Sequence, residues 1–228
     1  MKVLISVVFK INHAVERTLY ITLSNAFFSI YFFRMACLWS YLTGFIVLLN
    51  ACSTLGFPLG KVKPILLLDV DGVINFTGSG GAWQDQKEKT KKTMVNQWEI
   101  NWSTDVVSKI NYWGKDIADV QWLTSWDDKA RLFLAPALGL DEFPLARDPI
   151  MTKGYAAWLV EQNYPGVPIC WVDDEVYWFW CKTDNGLQIE SSYWESRPNT
   201  LLIQPKEEDG LQPDDLARIE SFLLEHSK

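Results

Sequence analysis

Asp69 and Asp71 stand one residue apart in "LLLDVDGVIN" (Leu66 to Asn75), directly behind a run of leucines. In an extended chain two residues so spaced share a face, so both carboxylates leave the strand on the same side. An aspartate followed by glycine is a common turn, and that reading accounts for Asp71 and Gly72. A D-x-D-G pattern also opens calcium loops. Here, however, no third ligand precedes Gly72, no glutamate follows at the required distance, and an apolar strand stands where a helix belongs. Neither reading accounts for Asp69 at the strand end. Two carboxylates at a rigid strand exit read as a catalytic site.

Three further features follow in order. "ADVQWLTSW" (Ala118 to Trp126) is an apolar run that ends in Thr124, with Ser125 next. Lys153 lies ahead of a helical stretch, Tyr155 to Asn163. "VPICWVDDE" (Val167 to Glu175) is another apolar run, ending in Asp173 and Asp174. Taken singly these have bland readings: a threonine as a cap, a lysine in solvent, paired aspartates as a helix cap. Taken together, each stands at a strand exit or a helix start, where a site would collect them.

The elements that must position these residues read as alternating strands and helices. Ile65 to Val70, Ala118 to Trp126, Val167 to Glu175 and "NTLLIQP" (Asn199 to Pro205) have the apolar character of buried parallel strands. "STDVVSKINYWGK" (Ser103 to Lys115) opens on a capping serine and has helical spacing. "DDKARLFLAPALGL" reads as a helix broken by Pro136 and stopped by a glycine. "QPDDLARIESFLLEHSK" reads as a capped amphipathic terminal helix, and Phe76 to Gln97 as a loop or hairpin flap. The pattern predicts an α/β fold, a doubly wound, Rossmann-like parallel sheet with ligands at the carboxyl ends of its strands.

The motifs from Leu66 to Glu175 resemble those of the haloacid dehalogenase-like (HAD) hydrolases. The tail "RPNTLLIQPKEEDGLQPDDLARIESFLLE" and "LTSWDDKARLFLAPALGL" are similar to the small HAD domain of the Swiss Army Knife RNA-repair type. The resemblance implies a Mg2+-dependent phosphatase that hydrolyses a phosphomonoester through an aspartyl-phosphate. Asp69 would be the nucleophile and Asp71 the general acid and base. Thr124 would hold a phosphoryl oxygen, with Ser125 beside it in the substrate site, and Lys153 would neutralise charge. Asp173 and Asp174 would complete the magnesium site with Asp69 and the backbone carbonyl of Asp71. Independently, carboxylates about 4 Å apart repel by about 4 kcal/mol at an effective dielectric near 20, so converging acids require cations.

In this superfamily, substrate-selecting caps insert after the first motif or between the second and third. The first interval has room for a flap, and Thr124 to Lys153 for one helix and a short strand, so the enzyme reads as capless. An open site suits phosphate on a large molecule, such as a nucleic-acid end or a protein. Trp83, Trp98 and Trp102 near the flap are candidates to stack on a base, although core packing is the commoner role of tryptophan. "EVYWFWC" after the acids reads as a hydrophobic shoulder of the sheet. A non-catalytic membrane-tethered binding or regulatory module on a HAD scaffold is the alternative.

The 228-residue chain carries a net charge of −7. Residues 1–60 hold Lys2, Lys10, Arg17 and Arg34 against Glu16, a balance of +3 that leaves −10 for residues 61–228. Such an acidic part disfavours broad capture of nucleic acid, though not a local basic groove. Cys37, Cys52, Cys170 and Cys181 form no CxxC pair, which disfavours a zinc site and fits a reduced, cytoplasmic catalytic domain. Residues 1–60 read as a hydrophobic leader and 61–228 as the hydrolase domain. Two uncharged stretches, between Arg17 and Arg34 and between Arg34 and Lys61, offer membrane contact through residues 18–57; the second is long enough to span a bilayer. "LLNAC" (Leu48 to Cys52) resembles a lipoprotein cleavage site, with Asn50 a poor fit. Anchor, export signal and a misassigned start codon all remain open for the leader.

Overall fold

A computed structural model describes residues 62–183, 186 and 188–227. The readings of the leader therefore lie outside the described residues. In chain order the strands are β1 (Ile65–Leu68), β2 (Thr90–Val95), β3 (Trp98–Ser103), β4 (Asp119–Trp122), β5 (Ile169–Val172), β6 (Cys181–Lys182), β7 (Gln188–Ile189) and β8 (Thr200–Ile203). The helices are α1 (Thr104–Tyr112), α2 (Ala135–Leu138), α3 (Lys153–Asn163), α4 (Ser191–Ser196) and α5 (Pro213–His226). None of the described helices is long and apolar enough to cross a membrane.

Four strands form a parallel sheet in the order β4-β1-β5-β8, with helical segments between them, which gives the expected Rossmann-like α/β pattern. The chain builds outward from β1 to β4 on one side and to β5 and β8 on the other. This places the topological switch, where such sheets bind ligands, at the exit of β1. Alternation along β1 covers both faces. Leu66 and Leu68 enter a core with Val120, Trp122, Cys170, Val172, Ile203 and the buried face of α5. Ile65 and Leu67 enter a second core with Trp171, Ala156, Ala157 and Val160, the last three from α3. A strand buried on both faces has no use for polar residues, which is why its sequence is a continuous apolar run.

Caps set the helix starts. The Ser103 side chain accepts from the Asp105 N–H at the start of α1, and Thr152 accepts from the Tyr155 N–H at the start of α3. At α5, Gln212 and Asp215 form a reciprocal capping box, with Pro213 in the first turn, where its missing N–H costs nothing.

Pro136 does not break its helix. The preceding turn, Ala130–Leu134, is widened to a π-type turn, and the Ala135 N–H bonds to Ala130 O. That extra residue per turn lets the chain pass the proline, and Gly139 (φ 77°) ends α2 in the left-handed region. The short strand expected before Lys153 is a single parallel bridge between Leu145 and Trp122. The expected flap is a hairpin that extends further than Gln97: β2 pairs with β3, whose residues the sequence reading left unassigned before Ser103. Asn96 (φ 55°) turns the chain between them. The β6–β7 hairpin and α4 were likewise not anticipated.

Because both faces of β1 are covered, Leu66→Ala and Leu67→Ala should each lower unfolding stability by about 2–5 kcal/mol, the usual range for a buried leucine. Urea unfolding checks this. A loss below about 1 kcal/mol for either would mean that its face of the sheet is open.

Candidate functional site

The register of the sheet assembles the site. Leu68 pairs with Trp122 on one side and with Val172 on the other, and Val172 pairs with Ile203. The residues one step beyond these pairs therefore emerge level with one another. Asp69 follows Leu68, Asp173 follows Val172, and Thr124 lies two residues past Trp122. Backbone bonds carry the alignment past the strand ends: the Asp69 N–H donates to Val172 O at 3.1 Å and the Leu123 N–H to Leu68 O at 2.9 Å. Neighbouring strands are about 4.8 Å apart, so carboxylates at adjacent exits must meet.

Lys153, the first residue of α3, bridges them. Its Nζ donates to Asp69 Oδ2 at 2.6 Å and to Asp173 Oδ2 at 2.8 Å. Asp69, Asp173 and Thr124 are buried, and the Lys153 side chain is nearly so. A lysine at a helix N-terminus opposes the helix dipole by about 0.3–1 kcal/mol, and the two carboxylates offset that. The Lys153 ammonium also lies 5.2 Å from the Phe179 ring centroid, and Phe179 stacks on Trp171 at 5.4 Å. This is how the hydrophobic shoulder after the acids bears on the site.

Asp174 completes a group of three acids: one oxygen each of Asp69, Asp173 and Asp174 lie within 4.8 Å of one another. Its place depends on Gly72, whose φ is 66° and where a Cβ would come within 2.5 Å of Asp174 Cγ. The glycine supplies a left-handed turn and also the room for the third acid.

The electrostatics follow from burial. Burial raises the Asp69 carboxyl above its usual range, against the pull of Lys153, Thr124 and the Val70 backbone. Burial and the Asp69 charge push Asp173 up to about 7, and the same two causes push Asp174 to about 6. For Lys153 burial is the largest influence and favours the neutral amine, yet Asp69 and Asp173 together hold its affinity for the proton above normal. Three acids face one ammonium, and Asp69 Oδ1 is buried with no hydrogen bond of ordinary length and angle. A buried carboxylate oxygen without a hydrogen bond of ordinary geometry, inside a group that is two charges short of balance, fits a divalent cation with oxygen ligands.

Asp71 is held apart from this group. Its Oδ2 accepts from the Trp126 indole N–H at 2.8 Å, and its Oδ1 from the Asn75 amide at 2.8 Å. Ser125 is exposed in the turn between Thr124 and Trp126, and the Thr124 hydroxyl accepts from the Trp126 N–H at 3.2 Å. Arg147 pairs with Asp127 at 2.5 Å and bonds Met151 O, tying that turn to the residues just before Lys153. Asn75, Trp126 and Arg147 were not singled out from the sequence. Of the tryptophans near the flap, Trp83 and Trp102 are buried, their indoles bonded to Leu211 O and Thr93, while Trp98 is exposed. The chain matches no family model, no curated protein and no solved structure.

The raised carboxyls fix a pH dependence. Between the unfolded carboxyl value of 3.8 and the folded values of about 6 and about 7, the native site holds protons that the unfolded chain has lost. Stability of the metal-free protein should therefore fall as pH rises through that window and level off above it. Thermal melts across the window should show wild type losing ground to Asp173→Asn as pH rises. Parallel curves for the two proteins would remove Asp173 as a cause.

Proposed function

We propose that the domain is a magnesium-dependent phosphohydrolase of the HAD-like type, acting on a phosphomonoester through an aspartyl-phosphate. The observation that carries this reading is Lys153 shared between Asp69 and Asp173 at the exits of two adjacent strands, with Asp174 completing the acidic group. Asp69, Asp173 and Asp174 would hold the Mg2+, which supplies charge neutralisation for a dianionic phosphate.

The chain's own groups fit the remaining roles. A carboxylate oxygen of Asp69 attacks phosphorus, and the bond from phosphorus to the ester oxygen breaks. Asp71 gives its proton to that oxygen, so the alcohol leaves neutral. Asp71 then takes a proton from water, whose oxygen attacks the phosphorus of the aspartyl-phosphate. Phosphate leaves and Asp69 is restored as a carboxylate. Lys153 holds Asp69 in place and offsets negative charge, and the Thr124 hydroxyl donates to a phosphoryl oxygen. Asp71 separates this chemistry from dehalogenation, which has no alcohol leaving group to protonate.

The substrate reads as phosphate on a large molecule, a nucleic-acid end foremost. Between Thr124 and Lys153 there is only α2 with its leading turn and the Leu145 bridge, which leaves no inserted domain to enclose a small substrate. Trp178 and Trp180, just beyond the acids, are 77% and 64% exposed, and exposed aromatic faces suit stacking on bases.

The full-length protein with Mg2+ should release phosphate from a phosphorylated oligonucleotide and from p-nitrophenyl phosphate. Asp69→Asn should reduce both to background while circular dichroism stays unchanged, since the amide is isosteric but cannot attack phosphorus. Chelation with EDTA should stop turnover and added Mg2+ should restore it. Full activity in EDTA would exclude the metal-dependent mechanism, and activity in Asp69→Asn would exclude the nucleophile.

A further inference from the structure

Asp71 must meet a leaving oxygen while never touching the Lys153 group, so something else has to aim it. Both of its oxygens are taken up by N–H donors from different parts of the chain. Asn75 lies at the far end of the same turn: the Gly72 N–H bonds Asn75 O at 2.8 Å and the Asn75 N–H bonds Val70 O at 2.9 Å. Its side-chain amide donates to Asp71 Oδ1 at 2.8 Å. The direction of that amide is fixed from outside the turn, because Asn75 Oδ1 accepts the backbone N–H of Asn101 on β3 at 3.0 Å. A backbone N–H can only donate, so the amide cannot be reversed without losing both bonds. The Phe76 N–H returns a bond to Asn101 O at 3.0 Å, which clips the turn to the hairpin on both sides of that residue.

The second donor comes from the exit of β4. Trp126 is buried, and its indole N–H points at Asp71 Oδ2. Its backbone N–H is held by the Thr124 hydroxyl, so the residue that sits beside Asp69 also sets the start of this arm. An indole N–H and an amide N–H are donors alone, and each Asp71 oxygen keeps a second lone pair for a proton.

On the reading of Asp71 as acid and base, we propose that Asn75 and Trp126 are positioning residues that hold the Asp71 carboxyl toward the leaving oxygen, with Asn101 of the hairpin setting the direction of Asn75. The hairpin then serves the chemistry through Asn101. A purely structural role would lower all activities alike. A positioning role acts where the proton transfer matters.

The test uses Trp126→Phe, which keeps a buried aromatic ring and removes the donor together with part of the indole, and Asn75→Ala, in the full-length protein with Mg2+. Single-turnover formation of the aspartyl-phosphate is followed on an alkyl or nucleotide phosphate and on p-nitrophenyl phosphate, whose leaving group needs no proton. Each variant should lose about tenfold or more on the alkyl ester and far less on the aryl ester, the pattern expected when general acid catalysis is impaired. On an Asp71→Asn background the same substitutions should add almost nothing, because there is no acid left to aim. Equal losses on the two esters, or full additivity with Asp71→Asn, would overturn the positioning role while leaving the phosphohydrolase reading intact. A wild-type protein inactive on both esters would overturn the two together.

Discussion

Three buried or half-buried carboxylates meet one ammonium at the exits of two neighbouring strands, and most of the surrounding design answers that imbalance. At the 4.8 Å limit of the acidic group, a pair of like charges repels by about 3–4 kcal/mol at an effective dielectric near 20. One lysine cannot neutralise three acids. Burial, and after it the residual negative charge, raises the affinity of Asp173 and Asp174 for protons, and the imbalance favours a cation. A sheet that only had to be stable would place apolar or small polar residues at these exits, so stability alone does not account for the acids.

The rest of the local structure holds the acids against their own repulsion. The strands are short and fully paired, so Asp69 and Asp173 leave from fixed positions rather than from flexible loops. Lys153 is seated at the start of a capped helix and backed by Phe179 on Trp171. Gly72 leaves space that any side chain would deny to Asp174. The opposite side of the turn is tied to β3 through Asn75 and Asn101. Asp71 is held by Asn75 and Trp126, and the acidic group by the strand exits and Lys153, with Gly72 and Thr124 serving both.

Asp69 and Asp173 were legible because a charged residue at the end of an apolar run is a local contrast, and Lys153 only from its place ahead of a helical stretch. The four sheet strands were legible because burial on both faces writes a continuous apolar signature. The supporting residues carry no such contrast. Asn75 looks like any turn residue, and Trp126 like one more tryptophan in a chain of twelve. Their importance lies in partners that only the fold brings within reach, as for Trp126, which is 55 residues from Asp71. The hairpin strand β3 was hidden because its alternating "WEINWS" runs directly into the capping serine of α1. Pro136 misled for a different reason. Its rule forbids a regular turn around it, and the chain obeyed by widening the turn instead of ending the helix.

Strand order also governs when this protein can acquire its site during synthesis. The first acid belongs to the central strand and leaves the ribosome early, yet its neighbour on one side, β5, is made only after β4 and α3. Until then Asp69 lacks the pairing that brings Asp173 level with it, and the acids of the group lie on separate stretches of chain. The completed parallel pairing is what converts them into one centre. Domains fold as units during synthesis, so the charge repulsion arises late, when both cores are ready to absorb it.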